Sequence, residues 1–261
     1  MSWIIVITLI ISGLMVGFIN TLAGGGTIIS LSLFMFLGLP PAIANGTNRL
    51  AVVFQTVTSS LGFIRHKALD YKKATVLGIP VVMGSILGTW IAIDINPRAF
   101  EIILAISMVF MLFFVIYKPS RWLKGKVELM STKPSLWLIA IFFLIGLYGG
   151  LIYVGVGYYL LAAAVLGAGY DLLRANAIKV WIVLLYVPFN LFIFMYYGLV
   201  NYEYGLVHAI GNVIGAWLAT RFAVNWGVNF IRWVLAVVII LVIAQTFGIF
   251  DVKTVITYLL Q

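Results

Sequence analysis

Residues 42–64 read AIANGTNRLAVVFQTVTSSLGFI, an apolar stretch interrupted by amides and hydroxyls at regular intervals. Asn45, Asn48, Val52, Gln55 and Ser59 are spaced 3, 4, 3, 4, which places them on one face of a helix. The resulting stripe is about 21 Å long at 1.5 Å per residue. A second copy lies further along the chain. Placing Gly157 over Gly26 gives an offset of 157 − 26 = 131, and residues 173–195 then read LRANAIKVWIVLLYVPFNLFIFM. The stripe becomes Asn176, Lys179, Val183, Tyr186 and Asn190. The same gapless offset sets Gly38 on Gly169, Ala44-Asn45 on Ala175-Asn176, Phe63 on Phe194, Tyr71 on Tyr202, Gly84 on Gly215, Thr89 on Thr220 and Leu104 on Leu235. Apolar sequences match one another easily, but glycine, asparagine and tyrosine coincidences at one offset point to an internal repeat.

The solvent in which these stripes fold follows from composition. Of 261 residues, 64% are hydrophobic and 9% charged, whereas a soluble domain needs roughly a quarter of its residues charged. A water-soluble globule is excluded, and the loops are too short for a catalytic domain. Apolar runs predict helices near 3–22, 42–64, 74–94, 98–117, 135–152, 173–197, 203–221 and 228–248, with shorter pieces near 26–38 and 157–169. The short pieces do not reach across a hydrocarbon core about 30 Å thick. Each follows glycines, Gly24-Gly25-Gly26 in one case and Gly149-Gly150 and Gly155-x-Gly157 in the other, so broken or re-entrant helices are expected there. Met1-Ser2-Trp3 precedes an apolar run without a basic n-region or cleavage site, and reads as the start of the first membrane helix. The fold expected is an all-α polytopic membrane protein. It divides into a first repeat at 1–117, a basic linker at 118–134 and a second repeat at 135–261.

Charge supplies the orientation. There are 16 Lys+Arg against 7 Asp+Glu, and the basic residues lie mostly in short loops, so nucleic-acid binding is not expected. Arg65, Lys67, Lys72 and Lys73 cluster in one loop and Lys118, Arg121, Lys124, Lys126 and Lys133 in another; both are expected on the cytoplasmic side. With Arg174 and Arg221, the cytoplasmic loops hold eleven basic residues, and the other side has Arg98 and Lys253. Both termini then fall outside. The basic loop 65–73 corresponds to 196–204, which has no Lys or Arg and one acid, Glu203. With five segments per half, the repeats are expected to be inverted, an architecture that holds substrate near the midplane.

Arg49, Lys179 and Arg232 remain inside predicted helices. Arg49 and Lys179 lie six or seven residues in, about 10 Å deep, where a charge costs at least ~2.5–3.5 kcal/mol. The acids Asp70, Asp94, Glu101, Glu128, Asp171, Glu203 and Asp251 all fall in loops or near helix ends. Snorkelling offsets part of the cost for Arg49; an anionic substrate between the two cations would offset more. Short helices starting after Gly26 or Gly157 would add free N–H groups and positive dipole ends, although Gly24-Gly25-Gly26 equally permits close helix packing. The stripes themselves suit either a lined pathway or interhelical hydrogen bonds. The substrate-binding residues expected are Asn45, Thr47, Asn48, Arg49, Gln55, Asn176, Lys179, Tyr186 and Asn190, with Gly25 and Gly26. The four Gly-x-x-x-Gly spacings starting at Gly13, Gly84, Gly146 and Gly211 read as packing contacts.

There is no cysteine and there are two histidines, so no metal centre and no cofactor are expected. Paired acids, a His cluster or a Ser/Lys dyad at helical spacing are not visible, and an enzyme is not expected. For coupling, His66 lies in the basic loop and His208 is able to titrate. An anion exporter needs no coupling, since 100 mV, negative inside, favours exit of one negative charge by ~2.3 kcal/mol.

The motifs Gly17-Phe18…Gly24-Gly25-Gly26-Thr27 and Gly38-Leu39-Pro40-Pro41…Ala44-Asn45-Gly46-Thr47-Asn48, with a looser copy at Gly157…Gly169…Ala175-Asn176-Ala177-x-Lys179, resemble the TauE/SafE family of sulfite exporters. The resemblance covers nearly the whole chain. It implies a multi-pass bacterial inner-membrane exporter of sulfite, sulfoacetate or related sulfur anions, whose partners are that anion and the lipid bilayer. A passive anion channel and an importer of sulfate- or thiosulfate-like anions are the alternatives, and oligomeric state is open. The second glycine motif is looser than the first, with Tyr153 and Val154 standing directly before its Gly155-x-Gly157.

Overall fold

The computed structural model describes residues 1–96, 98–100, 102, 103, 106 and 134–246, the stretch 226–246 as backbone alone. Among these residues the chain is helical, with no strand. Helix α1 spans Trp3–Leu22, α2 Thr27–Phe36, α3 Pro41–Arg65 and α4 Tyr71–Ile93. In the second half α5 spans Leu136–Leu151, and α6 runs over Val156–Ala162 into a π-helical turn at Ala163–Gly167. Helix α7 spans Leu172–Tyr196 and α8 Tyr202–Thr246. The expected helix at 98–117 and the linker at 118–134 lie almost wholly outside the described residues.

Starts are set by side-chain caps. Ser2 and Ser135 accept from Ile5 N and Leu138 N at 3.4 and 3.2 Å. Asp70 and Asp171 accept from Lys73 N and Arg174 N at 3.2 and 3.0 Å. Helix α3 instead begins with a proline in its first turn, where the missing N–H costs nothing. Two of the seven acids are thereby committed to helix starts rather than to the interior.

The two short helices are where glycine predicted them. Helix α2, with ten residues, is about 15 Å long. Helix α1 ends at Leu22 and the chain turns at Gly24, φ +99°, whose N–H reaches back to Ile19 O at 3.1 Å, a left-handed helix stop. The two breaks meet: a Cβ on Gly24 would lie 2.4 Å from the Gly157 Cα, and one on Gly157 2.5 Å from the Gly24 Cα.

One expected break is missing. The segments near 203–221 and 228–248 are joined in the 45-residue α8, so the loop predicted near 221–227 is helical backbone. That stretch contains no proline and one glycine, Gly227, and one interior glycine costs a helix only ~1 kcal/mol.

Four helical stretches among the described residues are long and apolar enough to cross a bilayer: Trp3–Leu22, Tyr71–Ile93, Leu172–Tyr196 and Tyr202–Asn225. The protein is a multi-pass helical membrane protein. Its outward faces are apolar at helical spacing, Ile4, Ile7, Ile11 and Met15 on α1 and Val76, Ile79, Met83, Leu87 and Trp90 on α4 all being exposed. Its polar residues point inward. Helix α3 has the length to cross but too many polar residues to count as apolar, and α3 and α7 each bury 14 of 25 residues. They form the interior pair.

The outer helices pack through the four glycine pairs. Helix α1 lies on α8, where a Cβ on Gly13, Gly17, Gly211 or Gly215 would come within 2.0–2.3 Å of a carbonyl oxygen of the facing helix. Helix α4 lies on α5 in the same manner, through Gly84, Gly88, Gly146 and Gly150, at 1.9–2.2 Å. Each half's first helix therefore rests on the other half's last described one. Gly88→Ala, whose Cβ would stand 1.9 Å from Leu147 O, is expected to lower stability by about 1–3 kcal/mol as an overpacked contact. A thermal melt of the detergent-solubilised protein reads this as a fall in midpoint.

Candidate functional site

Helices α3 and α7 bring most of the predicted stripe residues into the interior. Asn45, Asn48, Arg49, Gln55, Asn176, Lys179, Tyr186 and Asn190 are all buried, none more than 2% exposed. The two cations find partners that the acid inventory did not reveal. Lys179 Nζ donates to Asn20 O and Thr21 O, each at 3.0 Å. Arg49 Nη2 donates to Gly150 O at 3.0 Å and to Asn45 Oδ1 at 3.4 Å. Asn45 Nδ2 adds a bond to Leu151 O at 2.9 Å, and Thr89 Oγ1 one to Gly150 O at 3.2 Å. These carbonyls close the C-terminal turns of α1 and α5, where a helix carries about half a unit of negative charge. Helix ends thus supply counter-charge that no carboxylate among the described residues provides. A cation from α3 meets the end of α5, and a cation from α7 meets the end of α1.

The two cations are otherwise unequal. The Lys179 ammonium is engaged with two carbonyls. The Arg49 guanidinium is held between rings, its Cζ 4.7 Å from the Tyr153 centroid and 5.8 Å from that of Phe194, and its Nε and Nη1 have no protein partner. Both amide atoms of Asn48, Asn176 and Asn190 are also without a partner, as are Gln55 Oε1 and the Tyr186 and Tyr158 hydroxyls. Buried polar groups are normally hydrogen-bonded, at a cost of about 1–3 kcal/mol when they are not. A concentration of unpartnered groups on two facing helices is the mark of a binding surface.

Some predicted residues are placed elsewhere. Thr47 Oγ1 accepts from Asn201 N at 2.9 Å and so secures the turn before α8. Gly25 lies under the Tyr158 ring, a Cβ there falling 2.6 Å from Tyr158 Cε2, and a Cβ on Gly26 would fall 3.0 Å from Val16 O of α1. Gly25 and Gly26 therefore permit close packing. His208 sits between α1, α2 and α8, with Nδ1 3.0 Å from Leu9 O and Nε2 3.1 Å from Ser30 Oγ. Because a carbonyl only accepts, Nδ1 carries the proton and Nε2 accepts from Ser30.

Sequence reasoning missed Tyr153 and Tyr158. The available signal was their position, flanking the second glycine break at Gly155-x-Gly157. Tyr153 adopts φ +72°, a left-handed conformation costing a side-chain-bearing residue roughly 1–2 kcal/mol. It stands two residues after the end of α5, as Gly24 stands two after the end of α1.

Helices with apolar outer surfaces, enclosing buried amides, hydroxyls and two cations, define a multi-pass membrane protein with a polar interior. The chain belongs to the TauE/SafE family: it matches the family described as sulfite exporter TauE/SafE over residues 9–246. Curated relatives carry the same class of name. A "probable membrane transporter protein ORF9" from Sinorhizobium sp. is 26% identical over 88% of this chain and 87% of its own. "Probable membrane transporter protein YunE" from Bacillus subtilis is 26% identical over 96% of this chain and 100% of its own, and a Haemophilus influenzae "probable membrane transporter protein" is 26% identical over 84% and 86%. No solved structure is significantly similar to the chain. The protein is a membrane transporter.

Proposed function

We propose that the protein exports small sulfur-containing anions, such as sulfite or sulfoacetate, across the inner membrane of a bacterium. The anion binds near the midplane between two inverted repeats. The observation that carries this reading is the Arg49 guanidinium, fully buried, with Nε and Nη1 unpartnered and no carboxylate bridged to it among the described residues. The amide nitrogens of Asn48, Asn176 and Asn190 and the Tyr186 hydroxyl add donors suited to an oxyanion with several acceptor oxygens. Charge-assisted bonds in a water-excluded interior are stronger than neutral ones, so a single guanidinium and a few amides suffice for recognition.

The inverted arrangement is supported by the 131-residue offset and by the reciprocal capping of α5 by Arg49 and α1 by Lys179. Export is supported by the energetics of an anion leaving a negative cytoplasm. Proteoliposomes loaded with radiolabelled sulfite or sulfoacetate test both substrate and direction. Saturable efflux, accelerated by a potential negative inside, is expected; flux that rises linearly with concentration would indicate a channel instead, and transport of neither anion would refute the substrate.

A further inference from the structure

Tyr153 adopts a left-handed backbone conformation, one that favours glycine; at the 131-residue offset it falls on Leu22, while Gly24 falls on Gly155, itself at φ +73°. The α1 end uses Gly24 at φ +99° for its left-handed stop, and the α5 end uses Tyr153 at φ +72°. Gly24 lies against the Gly157 backbone, with no room for a side chain. The Tyr153 ring instead lies in the interior beneath the Arg49 guanidinium, with Cζ 4.7 Å from its centroid. It also packs on Tyr186, ring centroids 6.4 Å apart. Arg49 is consequently fixed on three sides: Nη2 on Gly150 O and Asn45 Oδ1, Phe194 at 5.8 Å, and Tyr153 at 4.7 Å. What remains free is Nε and Nη1.

We propose that Tyr153 is a positioning residue: its ring, placed by an unfavourable backbone conformation, holds the Arg49 guanidinium so that Nε and Nη1 are directed at the bound anion. The proposal rests on the anion-site reading above. A flexible arginine loses side-chain entropy on binding; a stacked one has lost it already, and a ring face favours the cation without competing for its N–H groups. A carboxylate in place of the ring would neutralise Arg49 and weaken anion binding. The geometry therefore orders the cation while leaving its charge available.

The test uses the full-length protein in nanodiscs, labelled with arginine carrying ¹⁵Nε, with sulfite alone as probe. Stacking predicts a ring-current shift of the Arg49 Nε–H resonance, assigned by its loss in Arg49→Gln. Tyr153→Gly relieves the backbone conformation but removes a buried ring, so its melting midpoint should fall, and spectra and kinetics are read at a temperature where the variant remains folded. The shifted resonance should move back to the ordinary arginine range, and the sulfite KM should increase at least tenfold with turnover within about twofold of wild type. Tyr153→Phe should retain the shift and the KM. Should Tyr153→Gly not insert, Tyr153→Leu keeps the β-carbon and bulk without a π face, and should lose both. Arg49→Gln combined with Tyr153→Gly should bind no worse than Arg49→Gln alone, because Tyr153 acts through Arg49.

An unshifted Arg49 resonance in wild type, or a Tyr153→Gly protein with wild-type KM, overturns the proposal while Arg49→Gln still loses binding. A double variant weaker than Arg49→Gln also overturns it. If Arg49→Gln itself binds sulfite like wild type, the anion-site reading falls, and the role of Tyr153 with it.

Discussion

Arg49→Gln is expected to lower sulfite flux and binding about a hundredfold while leaving a folded, inserted protein. Hydrogen bonds to a charged group contribute up to roughly 3 kcal/mol, and 1.36 kcal/mol is a factor of ten, so losing the charge-assisted contacts gives a loss of that order. Glutamine retains one carboxamide donor for Gly150 O, the carbonyl that Thr89 Oγ1 also reaches at 3.2 Å, so the end of α5 keeps a partner. The substitution also removes a buried charge, which favours the fold. Sulfite should therefore raise the melting midpoint of the wild type by mass action and leave that of Arg49→Gln unmoved, the apo midpoints being similar. Wild-type flux in the variant would refute the role of Arg49.

Lys179→Met should produce the opposite pattern. Methionine fills the volume but donates nothing, leaving Asn20 O and Thr21 O, now each 3.0 Å from Nζ, without that donor at the end of α1. An orphaned buried acceptor costs about 1–3 kcal/mol, and two adjacent carbonyls at a helix C-terminus have lost a cation as well. A stability loss of about 2 kcal/mol, read as a fall in thermal midpoint, is expected even without anion. Lys179→Arg, which keeps charge and donors, should recover much of it. If Lys179→Met melts like wild type yet no longer responds to sulfite, Lys179 is a substrate contact and not a helix cap. The pair of substitutions thus tests whether anion recognition rests on Arg49 and closure of the α1 end on Lys179.

Much of this architecture was legible in the residues because the bilayer imposes strict periodicities. The stripe beginning at Asn45 could lie on one face only in a helix, and its repeat at Asn176 fell at a single offset. The glycine breaks before α2 and α6 and the Gly-x-x-x-Gly pairs were legible for the same reason, since a missing Cβ has local consequences. The long α8 was not, because a stretch of weak helix formers around Gly227 carries no definite stop and the surrounding helix decides. The partners of Arg49 and Lys179 were hidden too. A search for acids overlooks backbone carbonyls, whose charge exists only where a helix ends and which belong to residues 101 and 159 positions away.

By itself the sequence determined the solvent, the helical class, the interior stripes and the depth of the two cations, because hydrophobic period and charge count depend on residue identity alone. Tertiary structure decided that the Lys179 ammonium is engaged by two carbonyls while Arg49, held through Nη2, keeps Nε and Nη1 without a partner among the described residues. That outcome depends on where the ends of α1 and α5 come to rest against α7 and α3. It depends as well on the left-handed turn that brings Tyr153 under Arg49, a juxtaposition of distant segments that no local pattern encodes.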